Sequence, residues 1–160
     1  MRWIALLAGV SVVAMPLAAT AQAPEVSAEY GRHVAIIGGC HDCHTANYNE
    51  TEGEIDPDLA LKGTAIGWRG PWGTTYPKNL LITARDQGSE DAFVQFLGDF
   101  RTRPPMPWYN IHAMTETDKR ALYQYIVSLG DPGDPEPAYV PPDQEPVTPY
   151  YPIVPPAMPQ

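Results

Sequence analysis

The sequence predicts a small all-α domain of three main helices with long loops, followed by an extended tail. Three observations predict it. Three stretches carry apolar residues at helical spacing between capping residues. A long irregular region, from about Thr45 to Gln87 and rich in Gly, Pro, Asn and Asp, separates the first from the second. The last segment, Asp131 to Gln160, holds 11 of the 19 prolines, five acids and no base. That composition predicts an extended, polyproline-like tail rather than a packed element.

The chain opens with Arg2, then an uncharged, mostly apolar run from Trp3 to Ala19, then small residues at Ala19 and Ala21. Basic start, apolar middle and small-residue cleavage site are the three parts of a secretory signal. The expected domains are therefore 1–21 as signal peptide, 22–130 as the folded domain and 131–160 as the Pro-rich acidic tail. The expected location is the periplasm. Membrane contact is expected only if the leader stays uncleaved, its apolar run being near the lower length limit for a spanning helix.

The first helix is expected from about Ser27 to Ile37, with Tyr30, Val34 and Ile37 on one face. Gly38 and Gly39 end it and let the backbone approach a flat group closely. The second is expected from Ser89 as N-cap through "EDAFVQFLGDF", with Phe93, Phe96, Leu97 and Phe100 as its apolar face. The third is "TETDKRALYQYIVSLG": Thr115 is the N-cap, Asp118 completes the box, Gly130 is the C-cap, and Leu122, Tyr125, Ile126 and Leu129 form the buried stripe.

Between the first helix and the irregular region lies "GGCHDCHTANYNE", which holds both cysteines of the chain and two of its four histidines. A thioredoxin-like site would place a C-x-x-C after a strand and at the start of a helix, and here the motif follows a helix. A zinc site would need further ligands, and no second Cys pair exists. One reading uses Cys40, Cys43 and His44 together: C-x-x-C-H is the attachment signature of a c-type haem. Both sulfurs become thioethers, and His44 is held under the iron as proximal ligand. His41 is then a solvent-facing spacer, and His33 a surface or core histidine. A single covalent haem also explains the long irregular region, since loops can pack on the cofactor as a core.

The sixth iron position decides function, because a Met or His there closes the iron for electron transfer. Met106 sits in "RPPMPWY", where prolines stiffen the backbone and hold a weak thioether ligand with little entropy loss. Met114, His112 and Met158 are weaker candidates. The formal net charge of −9 excludes nucleic acid as a natural partner. An acidic carrier instead meets a basic or mixed patch on its partner. "ETEGEIDPD", the densest acidic run, is a solvated loop or a docking edge, and its spacing matches no calcium loop.

In order and spacing, Cys40 to His44 after a short helix, Met106 in a Pro-flanked loop and then a C-terminal helix, the chain resembles class I cytochromes c with one haem. It resembles more closely the cytochrome c domains and subunits of periplasmic alcohol, aldehyde and sugar-acid dehydrogenases. "GPWGTTYPKNLLI" and "MPWYNIHAMTETDKRALYQYIVSL" carry that resemblance, which spans about residues 28 to 130. It departs at "LITARD" and does not cover the tail. The resemblance implies His44 and Met106 as metal ligands and places Tyr76 and Asn79 near the haem edge or propionates. Asn79 also suits a turn. Trp68, Arg69 and Trp72 could shield or neutralise propionates. The expected function is a periplasmic mono-haem electron carrier. It is not itself an enzyme; it takes electrons from a dehydrogenase, as subunit or dedicated carrier, and passes them to a respiratory acceptor. The alternative is a haem protein with an open sixth position, a gas sensor or peroxidase-like enzyme, for which only His112, Arg101 and Arg103 are at hand.

Overall fold

A computed structural model describes residues 24–156. The expected signal peptide, 1–21, and Met158 lie outside the described residues. The elements in order are α1 (Ala28–Ile37), α2 (Cys40–His44), β1 (Gly67–Gly70), β2 (Gly73–Thr75), α3 (Leu80–Gln87), α4 (Glu90–Asp99), α5 (Trp108–His112), α6 (Glu116–Ser128) and β3 (Tyr150–Pro152). Among them are the three expected helices, as α1, α4 and α6. The fold is helix-rich rather than all-α, because α2, α3, α5 and a small three-stranded sheet are added.

Capping explains where the long helices start. Ser27, Ser89 and Thr115 each accept a backbone N–H of the first turn through the side-chain oxygen, and Thr115 with Asp118 forms a complete capping box. Gly130, at φ +84°, lies one residue past the C-cap Leu129 and turns the chain out of α6.

The core forms where α1 lies along α6, with α3 and α4 also against α6. Gly31 sits at the α1–α6 crossing, where a Cβ would lie 1.9 Å from the Ala121 carbonyl oxygen, so no larger residue fits there. The buried stripe of α1 is Gly31, Val34 and Ala35, and Ile37 is 69% exposed. The expected Tyr30–Val34–Ile37 face was thus rotated: the crossing at Gly31 sets the register, and Tyr30 instead donates its hydroxyl to Asp118 at 2.7 Å. The expected faces of α4 and α6 are the observed ones, with Phe93, Leu97, Leu122, Tyr125 and Ile126 buried and Phe96, Phe100 and Leu129 packed at the edge. Arg120 of α6 joins the two helices by pairing with Glu90 and Asp91 at 2.8 Å.

The irregular region is more ordered than its composition predicts. β1 and β2 form an antiparallel hairpin with Gly70 opposite Gly73. Asn79 caps α3 by accepting the Leu81 and Ile82 amides, and Gly88, at φ +77°, ends it.

The tail is not free. β3 pairs in parallel with β1, so the strand order is β2-β1-β3. Before that, Val140 bridges to Thr74. The Pro-rich segment is extended, as its composition predicts, and it wraps its own domain. No helix among the described residues is long and apolar enough to cross a membrane.

Candidate functional site

α2 is a single turn of helix, and it presents both sulfurs to one cavity. Gly39, at φ +68°, turns the chain from α1 into α2. Cys40 and Cys43 are free thiols, and both line a cavity of about 430 Å³, within the range of cofactor sites. His44 and Met106 line the same cavity. Its apolar wall comes from Leu80 of α3, Phe93, Phe96 and Leu97 of α4, and Leu122 and Ile126 of α6.

His44 is buried, and its Nδ1–H donates to the Lys78 carbonyl at 2.7 Å. That bond fixes the tautomer, leaving the Nε2 lone pair free to act as a ligand. Burial lowers the His44 pKa, while the Lys78 carbonyl and then Glu136 oppose that shift. The histidine is thus held neutral, as a metal ligand must be.

The thiols are not the activated pair of a redox C-x-x-C. Burial, and next the Asp42 carboxylate, push Cys40 up to about 11, and the same two causes raise Cys43. A nucleophilic thiol has its pKa lowered, and although Cys40 opens α2, burial outweighs that single turn of helix.

His41 departs from expectation. It is 0% exposed rather than a solvent-facing spacer. Its Nδ1 shares a 2.7 Å hydrogen bond with Thr45 Oγ1, and its Nε2 lies 3.3 Å from the Tyr125 hydroxyl. Thr45 Oγ1 also accepts the Leu61 amide at 2.9 Å. His41 therefore pins α2 to α6 and to the loop behind it. Burial, and next Arg32 and His44, lower its pKa to about 4.

The other expected site residues divide. Tyr76 and Trp68 line the cavity. Asn79 is buried but stands outside the cavity wall; its side-chain NH2 donates to the Pro132 and Asp134 carbonyls of the tail. Arg69 also faces away, donating to the Gln144 carbonyl at 2.8 Å and pairing with Glu145 at 3.0 Å. Trp72 packs its ring on Gly70, off the cavity, with its buried Nε1 lacking a partner among the described residues. Arg101 and Arg103 line the cavity instead, one over the Trp108 ring and the other over the Tyr139 ring. In sequence they stand only as nearby candidates for the acid–base groups of a peroxidase-like site. Their closeness to Met106 in sequence was the available signal for a wall role.

Met114 packs on the core and is not in the cavity wall, and His112 donates Nε2–H to the Phe100 carbonyl at 2.9 Å. His33 is exposed. Among the described residues, no three His, Cys, Asp or Glu side chains gather to hold a bare metal ion. The donor set does fit a haem: two thiols, a neutral imidazole and a thioether share one apolar cavity.

No family model matches the chain, and no solved structure matches it. Among curated proteins, the chain is similar to the fructose dehydrogenase cytochrome subunit of Gluconobacter japonicus, with 30% identity over 144 residues. The match takes in 84% of this chain and 28% of the relative, so the chain spans little more than a quarter of the relative's length. At that coverage the likeness is to one portion of a dehydrogenase cytochrome subunit, and in that portion the sequence is cytochrome-like.

Proposed function

We propose that the protein is a mono-haem c-type cytochrome of the periplasm that carries single electrons away from a dehydrogenase. One observation carries the reading: Cys40, Cys43, His44 and Met106, spread over two distant stretches of sequence, meet on the wall of one apolar cavity. When bound, haem supplies an iron centre that takes up and releases one electron.

The chain's own residues do the rest. Cys40 and Cys43 would tether the group through their sulfurs. His44, its Nδ1–H held on the Lys78 carbonyl, would offer Nε2 to the iron. Met106 would offer its thioether. The aromatic and aliphatic side chains of α4 and α6 would exclude water and keep a low dielectric around the group. Arg101 and Arg103 line the cavity and would meet the group's carboxylates. His44 and Met106 both reach the cavity, and such a ligand pair would close the iron, which suits a carrier better than a peroxidase-like enzyme.

The similarity to a dehydrogenase cytochrome subunit supports a dehydrogenase as the electron donor, and a net charge of −9 suits docking on a basic patch. Export rests on the leader pattern of residues 1–21.

The test is the optical spectrum of the purified protein, oxidised and reduced, with and without carbon monoxide. The expected result is a low-spin spectrum indifferent to carbon monoxide, which Met106→Ala converts to one that binds it. A haem-free protein would sink the reading. Rapid carbon monoxide binding by the wild type would remove Met106 as ligand and favour a gas-binding site.

A further inference from the structure

The Pro-rich segment returns to the domain at a particular place. Its contacts gather on residues 67–79, the stretch that supplies the hydrogen-bond acceptor of His44. Thr148 Oγ1 is 2.6 Å from the Tyr76 hydroxyl, and the Tyr139 hydroxyl donates to the Trp72 carbonyl at 2.7 Å. The Tyr151 ring packs tilted against Trp68, with centroids 5.0 Å apart, and β3 pairs with β1 along its length. Glu136 reaches furthest in. Its Oε2 accepts the Asn79 amide at 2.9 Å, and its other oxygen pairs with Lys78 Nζ. Its side chain is only 9% exposed.

Resting on the cytochrome reading, we propose that the Pro-rich segment is an intramolecular strap whose Glu136 is a positioning residue for His44, gripping Lys78 and Asn79 so that the Lys78 carbonyl stays on the imidazole Nδ1–H.

The physical case is local. The carbonyl that His44 uses belongs to Lys78 itself. Its flanking groups, the Lys78 ammonium and the Asn79 amide, are both held by one carboxylate. The Lys78 carbonyl and the Asn79 N–H share one peptide unit, so with that N–H held by the carboxylate the carbonyl cannot rotate away without breaking a charge-assisted bond. Burial opposes the charge on Glu136, yet the Asn79 amide and then Lys78 hold its carboxyl below the usual range, so the grip is ionic at neutral pH. An outer partner of this kind makes a ligating histidine more basic and its orientation more definite. A negative charge near the iron also favours its oxidised form. Both effects act in one direction, toward a lower reduction potential.

The test compares Glu136→Gln with Glu145→Gln by spectroscopic redox titration. Each removes one acid from the strap, but Glu145 is 77% exposed and pairs with Arg69 away from the cavity. The expected result is a higher potential for Glu136→Gln and an unchanged one for Glu145→Gln, with both low-spin spectra retained. Equal shifts, or none, overturn the proposal. Amide hydrogen exchange on the wild type is a second measurement that needs no variant. Slow exchange at Asn79, comparable with the core amides of α6, supports a closed strap, and fast exchange there overturns it. Failure of the cytochrome reading itself would show separately, as a wild-type protein without haem.

Discussion

The two sides of the cavity are built differently. The His44 side is buried and cross-tied. His44 is bonded to Lys78, its carbonyl accepts the Gly63 amide at 2.8 Å, and Leu61 hangs on Thr45. The Met106 side is a loop whose residues 101–105 are exposed. Its ties are few: Thr75 Oγ1 donates to the Pro104 carbonyl at 2.8 Å, the Trp108 amide donates to the Met106 carbonyl at 2.9 Å, and Arg101 rests on Trp108. The first side is held by enthalpy, through many satisfied buried groups. The second is held by restricted entropy, through prolines that leave the chain little else to do. The consequence is an order of failure, in which the Met106 loop opens before the His44 side.

The contrast can be broken most severely from the cross-tied side. Leu61 is fully buried in the core behind α2, so Leu61→Ala is expected to cost about 2–5 kcal/mol of stability, read by denaturant unfolding. A cost under about 1 kcal/mol would mean that this side is not the rigid one.

Acid should loosen the same side next. His41 is buried neutral, with its pKa lowered from 6.5 to about 4, so the unfolded chain binds a proton more readily than the folded one between those values. Stability is therefore full above about pH 6.5 and falls as pH drops toward 4, by on the order of 1–3 kcal/mol. Thermal unfolding across that range checks it, and His41→Gln should flatten the slope.

The smallest effect sharpens the comparison from the loop. Thr75→Val removes the hydroxyl that holds the Pro104 carbonyl, at a cost of about 0.5–1.5 kcal/mol or less, since the carbonyl can turn to water. Global stability should barely change, while, on the proposed cytochrome reading, carbon monoxide access on the Met106 side rises. A large loss of stability without such access would contradict the division of labour.

The sequence carried the strong local signals. The caps of α1, α4 and α6 are side chains bonding the nearest backbone, so they are visible without tertiary context. α3 was missed although Asn79 and Gly88 bracket it, because it is short and carries the β-branched Ile82 and Thr83. Its stability comes from packing on α6. The strands, three or four residues long and partly glycine, are too short to show alternation. His41 looked like a spacer because burial is set by Thr45 and Tyr125, one of them distant in sequence. Arg69 and Asn79 were assigned to the cavity edge, and both serve the strap instead. Composition could predict that the Pro-rich segment is extended. It could not predict where the segment lands, because its anchors, Glu136, Tyr139, Thr148 and Tyr151, are single residues in no repeating pattern.

The parallel pairing of β1 with β3 also has a bearing on the order in which the molecule is completed. Gly67, next to the cavity residue Trp68, finds its partner Tyr150 only far later in the sequence. Contacts so distant in sequence close late, after the local helices have formed. The strand pairing therefore latches onto helices that already exist, so β3 acts as a clasp closed on a preformed domain rather than as part of its nucleus.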